Sequence, residues 1–365
     1  VTSLDDLPLR DDLRGKSPYG APQKVVPVAL NVNENTHPIP EDVAHDIVAR
    51  VAAAIIGLNR YPDREFTQLR TALAGYLGHG LVPEQLWAAN GSNEVLQHIL
   101  QAFGGPGRRA LGFAPTYSMY GLLSGGTGTE WVTAERDADF ELAPGTAVAA
   151  VERHDPDVVL LCAPNNPTGT PLSLDTIAAV ADAARGVVVV DEAYFEFADP
   201  GTPSALTLLE GRPRLLVSRT MSKAFAFAGA RVGYLAADPA VIDALRLVRL
   251  PYHLSALTQA AALGALAHAD EMLAMVDEIR SQRERIVREL AALGYRPYRS
   301  GANFVLFGGV DDPHAVFEAL LERGILIREI GLPGCLRVTA GTEAETTAFL
   351  EAMAAFAPAR TAAGA

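Results

Sequence analysis

From Glu41 to about Leu58 the apolar positions Val43, Ile47, Val51 and Ile55 recur at helical spacing, and a second helical pattern runs through Leu69, Leu73 and Tyr76-Leu77. Beyond them the pattern changes. Short apolar runs, Ala110 to Phe113, Val158 to Leu161, Val187 to Val190 and Leu215 to Val217, alternate with helical stretches. That alternation predicts βα units building a mostly parallel sheet covered on both faces. The four consecutive β-branched residues at Val187 to Val190 mark a central strand buried on both sides. After Pro251 come long Ala- and Leu-rich helices through Leu273 and Leu290, then short strands at Phe304 to Phe307 and Leu336 to Thr339. The first forty residues are rich in Pro and polar residues, as in Ser17-Pro18-Tyr19-Gly20 and His37-Pro38-Ile39-Pro40, which argues for an extended arm. The expectation is therefore an α/β chain in three parts. An arm over 1–40 packs on the small domain and on a partner subunit, a large domain with a mostly parallel central sheet covers 41–250, and a smaller C-terminal α/β domain covers 251–365. The Ala-rich tail after Pro358 should fray.

Composition narrows the function classes. With 365 residues and 49% hydrophobic content the chain can bury a large core without covalent staples. Its two cysteines, Cys162 and Cys335, form no CxxC or zinc-ligand spacing, so neither a disulfide framework nor a metal is implied, and a reducing cytosol fits. Lys plus Arg total 30 against 43 Asp plus Glu, a formal charge of −13 whose field repels nucleic acid and anionic membranes. There is no apolar run of membrane-spanning length, and the acidic start Leu4-Asp5-Asp6 lacks the features of a signal peptide. A cytoplasmic protein acting on small molecules is expected. If the substrate is an anion, local arginines must overcome the global sign.

Open parallel sheets place reactive groups just past the carboxyl ends of their strands. After Val158 to Leu161 comes Pro164-Asn165-Asn166-Pro167-Thr168-Gly169, after Val187 to Val190 comes Asp191-Glu192-Ala193-Tyr194, and after Leu215 to Val217 comes Ser218-Arg219-Thr220-Met221-Ser222-Lys223. An Asn, an Asp, a Tyr and a Lys should converge on one sheet edge. Together with Ala228-Gly229-Ala230-Arg231-Val232-Gly233, these segments resemble the fold type I pyridoxal-phosphate aminotransferases. Any one of them is weak, but three in this order on these elements make a strong signal.

The resemblance implies pyridoxal 5'-phosphate as cofactor, held by Lys223 as a Schiff base, with the same amine shuttling the substrate α-proton. A free lysine is protonated at neutral pH, so the small and apolar neighbours Ala224, Phe225, Ala226 and Phe227 matter as a dry setting. Asp191 is implied as the carboxylate that keeps the ring nitrogen protonated, in preference to Glu192; an Asp there could otherwise cap a helix. Asn166 and Tyr194 would hold the phenolic oxygen, and a cis Asn166-Pro167 bond would aim the asparagine. Tyr117 would stack on the ring. The phosphate would take backbone amides of Ser92 and Asn93 at the start of a helix through Val95 to Leu100, hydroxyls of Thr220 and Ser222, and the guanidinium of Arg231. The family completes its site across a two-fold homodimer, and Tyr61 would reach the partner's cofactor phosphate. Read without the family, Tyr61-Pro62-Asp63 is a turn, Asn166 a turn asparagine and Tyr194 a core-edge tyrosine.

The likeness is nearest to the histidinol-phosphate branch, over nearly the whole length and in particular to actinobacterial members, through segments such as Gln101-Ala102-Phe103-Gly104-Gly105-Pro106-Gly107 and Arg249-Leu250-Pro251-Tyr252-His253. That branch implies amino transfer between L-histidinol phosphate and 2-oxoglutarate in histidine biosynthesis. Arg337 and Arg328 would take the substrate anion, with Tyr19 and Asn303 as further contacts. Arg328 beside Glu329 could instead be a surface ion pair. Rival readings are an aromatic amino-acid aminotransferase, a phosphothreonine decarboxylase, and a cofactor-binding transcription regulator. The last needs a DNA-binding domain and a basic face, which this chain lacks. His37, Glu192 and His253 have no role that the sequence settles.

Overall fold

The computed structural model describes residues 3–15, 17 and 20–357. Tyr19 and the tail beyond Pro358 lie outside the described residues. A two-residue strand, β1 (Val28–Ala29), precedes a seven-stranded sheet made of β2 (Leu86–Ala89), β3 (Arg109–Ala114), β4 (Glu130–Glu135), β5 (Val158–Cys162), β6 (Val187–Asp191), β7 (Leu215–Thr220) and β8 (Gly233–Ala236), in the order β2-β8-β7-β6-β5-β3-β4. Only β8 runs against its neighbours. The four apolar runs seen in the sequence are β3, β5, β6 and β7, and the last three are buried at every position, as strands covered on both faces must be.

Register then decides what stands side by side. Cys162 on β5 pairs with Asp191 on β6, and Asp191 pairs with Ser218 on β7. Three polar or polarisable side chains thus meet at the carboxyl edge, where the apolar runs stop.

A second sheet combines β9 (Arg296–Pro297), β10 (Phe304–Gly308), β12 (Arg328–Glu329) and β13 (Leu336–Thr339) in the antiparallel order β12-β13-β10-β9, while β11 (Ile325–Leu326) pairs in parallel with β1. The apolar interior forms two clusters. One surrounds the large sheet and takes in Leu254, Ala262 and Ala265, because the helix Ala256–Ala267 lies on the helix Glu41–Ile55. The other includes Val276, Phe304, Phe307 and Phe349, with Leu30 of the N-terminal segment and Ala193, Tyr194, Phe197 and Ala224 packed into it. Backbone bonds from Leu30 to Leu326 and from Thr339 to Leu30 fix that segment against the second sheet, which aims residues 31–35 at the edge of the first. Among the described residues no helix is long and apolar enough to cross a membrane.

Candidate active site

Lys223 follows β7 by three residues, in a turn closed by bonds from Phe227 N to Met221 O and Ala226 N to Lys223 O. Its amine donates to the Val32 carbonyl at 3.0 Å and lies 5.8 Å from the centre of the Tyr194 ring. Desolvation pushes its pKa down to about 8, and the Arg337 and Arg231 guanidiniums act in the same sense while Glu34 opposes them. Roughly a tenth of the amine is therefore unprotonated at pH 7, far more than for a free lysine, and it is this form that attacks a carbonyl.

The amine faces a cavity of about 470 Å³ whose walls bring together Ser92, Asn93, Tyr117, Asn166, Asp191, Tyr194, Thr220, Ser222, Arg231, Arg328 and Arg337. Asp191 sits on its floor, wholly buried. It accepts hydrogen bonds from the Tyr120 hydroxyl at 2.8 Å and the Ser218 hydroxyl at 3.1 Å. Burial raises its pKa, and these donors pull the other way. Asn166 donates from Nδ2 to the Tyr194 hydroxyl at 3.2 Å and accepts from Arg337 Nη1 at 2.6 Å. The Asn166-Pro167 bond is cis. Asn33 Nδ2 also donates to the Tyr194 oxygen, at 3.1 Å. Two amides thus fill the acceptor side of the phenol and leave its proton for a further acceptor.

At the other end the helix Ser92–Phe103 points its first turn into the cavity, with Gly91 as N-cap at φ +84°. Its leading N–H groups have no partner within the helix, which makes an anion site. Both nearby glycines are required by approach rather than by turn chemistry alone. A Cβ on Gly91 would collide with the Arg231 guanidinium, and one on Gly233 with the backbone of Gly91 and Ser92. Arg231 Nη1 donates to Ala228 O at 3.1 Å and to the Ser222 hydroxyl at 3.4 Å; Thr220 donates to Val232 O at 3.1 Å and Tyr117 to Asn93 Oδ1 at 3.2 Å. Arginine, hydroxyls and helix amides at one end, a buried carboxylate below and an amine at the side fit a phosphorylated, aldehyde-bearing pyridine.

Arg337 on β13 stands opposite Arg328 on β12. The Arg337 guanidinium donates from Nη2 to Asn31 O at 2.9 Å and lies 5.0 Å above the Phe304 ring. Glu329 accepts from His314 at 3.2 Å. Asn303 stands apart from the cavity wall: it is fully buried and its amide donates to Asn33 O at 3.1 Å and Glu34 O at 3.4 Å. Tyr61 is exposed and stacks on Tyr252 with centroids 4.4 Å apart.

Sequence reading overlooked several residues. Asn31, Val32 and Asn33 reach the lysine, the tyrosine and the arginine from the N-terminal segment; the only local hint is the alternation Asn31, Asn33, Asn35 after an apolar stretch. Tyr120 and Ser218, which bond Asp191, carry no local sequence signal of that contact. Glu192 turns away from Asp191 into a buried network, accepting from Arg219 Nη2 at 2.8 Å, Ser204 Oγ at 2.8 Å and Ala205 N at 2.7 Å. His253 stacks on Trp87 and bonds Ala88 O at 2.8 Å, and His37 is tied through its backbone to Asn35.

Residues 26–353 match the family Aminotransferase class I and II. The chain belongs to this family. Among curated relatives, this aminotransferase is 64% identical over 355 residues to the histidinol-phosphate aminotransferase of Paenarthrobacter aurescens, covering 96% of this chain and 95% of that one. It is 60% identical over 351 residues to the histidinol-phosphate aminotransferase of Thermobifida fusca, covering 96% of each. Among solved structures it superposes on the histidinol-phosphate aminotransferase of Sinorhizobium meliloti in complex with pyridoxal-5'-phosphate with a TM-score of 0.82, at 28% identity over 91% of both chains. The aspartate aminotransferase of Thermus thermophilus with maleate follows with a TM-score of 0.77 and 25% identity, covering 91% of this chain and 92% of that one.

Proposed function

We propose that this aminotransferase uses pyridoxal phosphate to move an amino group between L-histidinol phosphate and 2-oxoglutarate, a step of histidine biosynthesis. The observation that carries the reading is the half-buried, partly neutral amine of Lys223 beside a cavity floored by Asp191 and ended by Arg231. When bound, the cofactor supplies an aldehyde for amine exchange and a cationic ring that takes up the electrons left when an α-proton departs.

The chain's own groups do the rest. Lys223 Nζ would hold the cofactor and then move the α-proton. With the cofactor bound, Asp191 would hold a proton on the ring nitrogen, Tyr194 and Asn166 would hydrogen-bond the phenolic oxygen, and Tyr117 would pack on the ring. Ser92, Asn93, Thr220, Ser222 and Arg231 hold the phosphate. Gly91→Ala should push Arg231 out of that cradle and force a side chain into positive φ. Cofactor affinity of the initially cofactor-free protein should fall at least ~10-fold, as read by absorbance titration; unchanged affinity would count against this placement.

Histidinol phosphate has a phosphate and no α-carboxylate, whereas glutamate has two carboxylates, so one anion pocket must accept either. Arg337 and Arg328, facing each other across β12 and β13, suit that demand. Tyr19 would be a further contact, and Asn303 would act by fixing the segment that bears Asn33. A homodimer in which Tyr61 reaches the neighbouring cavity is supported by exposed Ile55, Ile56, Leu58, Leu247 and Leu250, which lie close in the chain to the stacked Tyr61 and Tyr252. Steady-state assay of the purified protein tests the substrate. The kcat/KM for histidinol phosphate should exceed that for phenylalanine by on the order of 10²-fold; equal or greater efficiency with phenylalanine would make the chain an aromatic aminotransferase.

A further inference from the structure

We infer that Tyr120 and Ser218 are positioning residues that keep the Asp191 carboxylate ionised and aimed at the cofactor's ring nitrogen, an inference that rests on the pyridoxal phosphate reading above. Asp191 closes β6 and is almost wholly shielded from solvent. Water cannot stabilise its charge there, so the protein must. One oxygen, Oδ2, accepts from the Tyr120 hydroxyl at 2.8 Å, and the other, Oδ1, accepts from the Ser218 hydroxyl at 3.1 Å. Each carboxylate oxygen offers about two acceptor sites, so both hydroxyls can bind and still leave a lone pair for a ring N–H.

The geometry leaves these hydroxyls little alternative. Ser218 is the register partner of Asp191 on the neighbouring strand and is fully buried. Tyr120 lies in the first turn of the helix Met119–Thr127, also fully buried, with its ring edge-on to Tyr117 at 5.4 Å and tilted against Trp131 at 6.3 Å. Burial beside a carboxylate drives the Tyr120 pKa far up, so the group stays a neutral donor.

The Ala193 backbone N–H also favours the charged form of Asp191 and the Glu192 charge opposes it; the other titratable groups nearby do not take this role. Cys162, in register on the opposite flank, directs its thiol at Pro164 O at 3.4 Å and is kept protonated by burial, with its pKa pushed up to about 12. Glu192 is occupied by Arg219, and Arg136 donates to the Phe113 and Phe140 carbonyls at 3.2 Å. With either hydroxyl removed, the carboxylate becomes more basic and draws the shared proton off the ring nitrogen. A bound ring would then carry less positive charge and draw less electron density from the nitrogen of Lys223.

The test uses the cofactor-loaded protein and the variants Tyr120→Phe and Ser218→Ala. Each should raise the pH midpoint of the bound cofactor's absorption change by about half a unit or more and lower kcat by roughly 10-fold, with KM values within about threefold of the parent. The double variant should move further than either single. A variant that merely loosens the fold would lower cofactor occupancy without moving the midpoint. If Tyr120→Phe does not fold, Ser218→Ala alone decides. Variants that load cofactor and keep the parent midpoint and kcat overturn the inference. A parent protein with no cofactor absorption band overturns the cofactor reading itself, so the two failures are distinguishable.

Discussion

Lys223→Ala should abolish turnover, a loss on the order of 10⁴-fold or more, because one substitution removes both the attachment point of the cofactor and the base for the α-proton. The visible absorption band of lysine-bound cofactor should vanish in the same protein. Folding should survive. The amine's hydrogen bond goes to a backbone carbonyl, that of Val32, and the phosphate and ring contacts are made by other residues. Linkage provides a second readout in the cofactor-free state. The pKa of Lys223 falls from 10.5 to about 8 on folding, so below pH 8 the folded chain bears the full cost of a buried ammonium. That cost fades as pH rises from 8 to 10.5, where the unfolded chain binds the extra proton. Cofactor-free Lys223→Ala should therefore be more heat-stable than the parent at neutral pH, with the gap closing toward pH 10.5. Full turnover in the variant, or a gap that widens with pH, would refute this role.

Asp191→Asn should be the next most damaging change, with kcat reduced roughly 10²- to 10³-fold, in line with losing one preorganised charge from a dry site. The amide cannot hold a proton on the ring nitrogen as an anion does, though it fills the same space below the cavity. Stability should move the opposite way. Burial raises the Asp191 pKa above the ordinary 3.8, so the cofactor-free fold pays nothing at low pH and a growing penalty as pH rises through the shifted value. The neutral amide escapes that penalty. Thermal unfolding of the cofactor-free proteins should show the variant more stable at neutral pH and level with the parent at acid pH; equal stability at both would contradict the account.

How far the site can be read from the chain follows from where its parts lie. Runs such as Val187 to Val190 are legible because strands covered on both faces must be apolar throughout, and the polar residues that follow them mark the sheet's reactive edge. Asn166, Asp191 and Lys223 are found that way. β2 and β8 escape notice as four-residue strands, shorter than the others of the large sheet, and β4 escapes because it is an edge strand with exposed Glu130 and Glu135. Asn31 to Asn33 come from an arm nearly two hundred residues before the lysine, and the pairing of β1 with β11 and the Leu30 bond to Thr339 bring them there. Tyr120 bonds Asp191 across 71 positions, a relation that local periodicity does not encode. Ser218 is different: once β6 and β7 are aligned in parallel, its place beside Asp191 follows from register.

The chain contains only three lysines, Lys16, Lys24 and Lys223, so the point of cofactor attachment can be assigned without ambiguity. Borohydride reduction of the cofactor-loaded protein followed by peptide mass mapping should find the pyridoxyl group on the peptide that carries Lys223 and leave the other two unlabelled. Label on Lys16 or Lys24, or none on any lysine of a protein that turns over, would contradict the account.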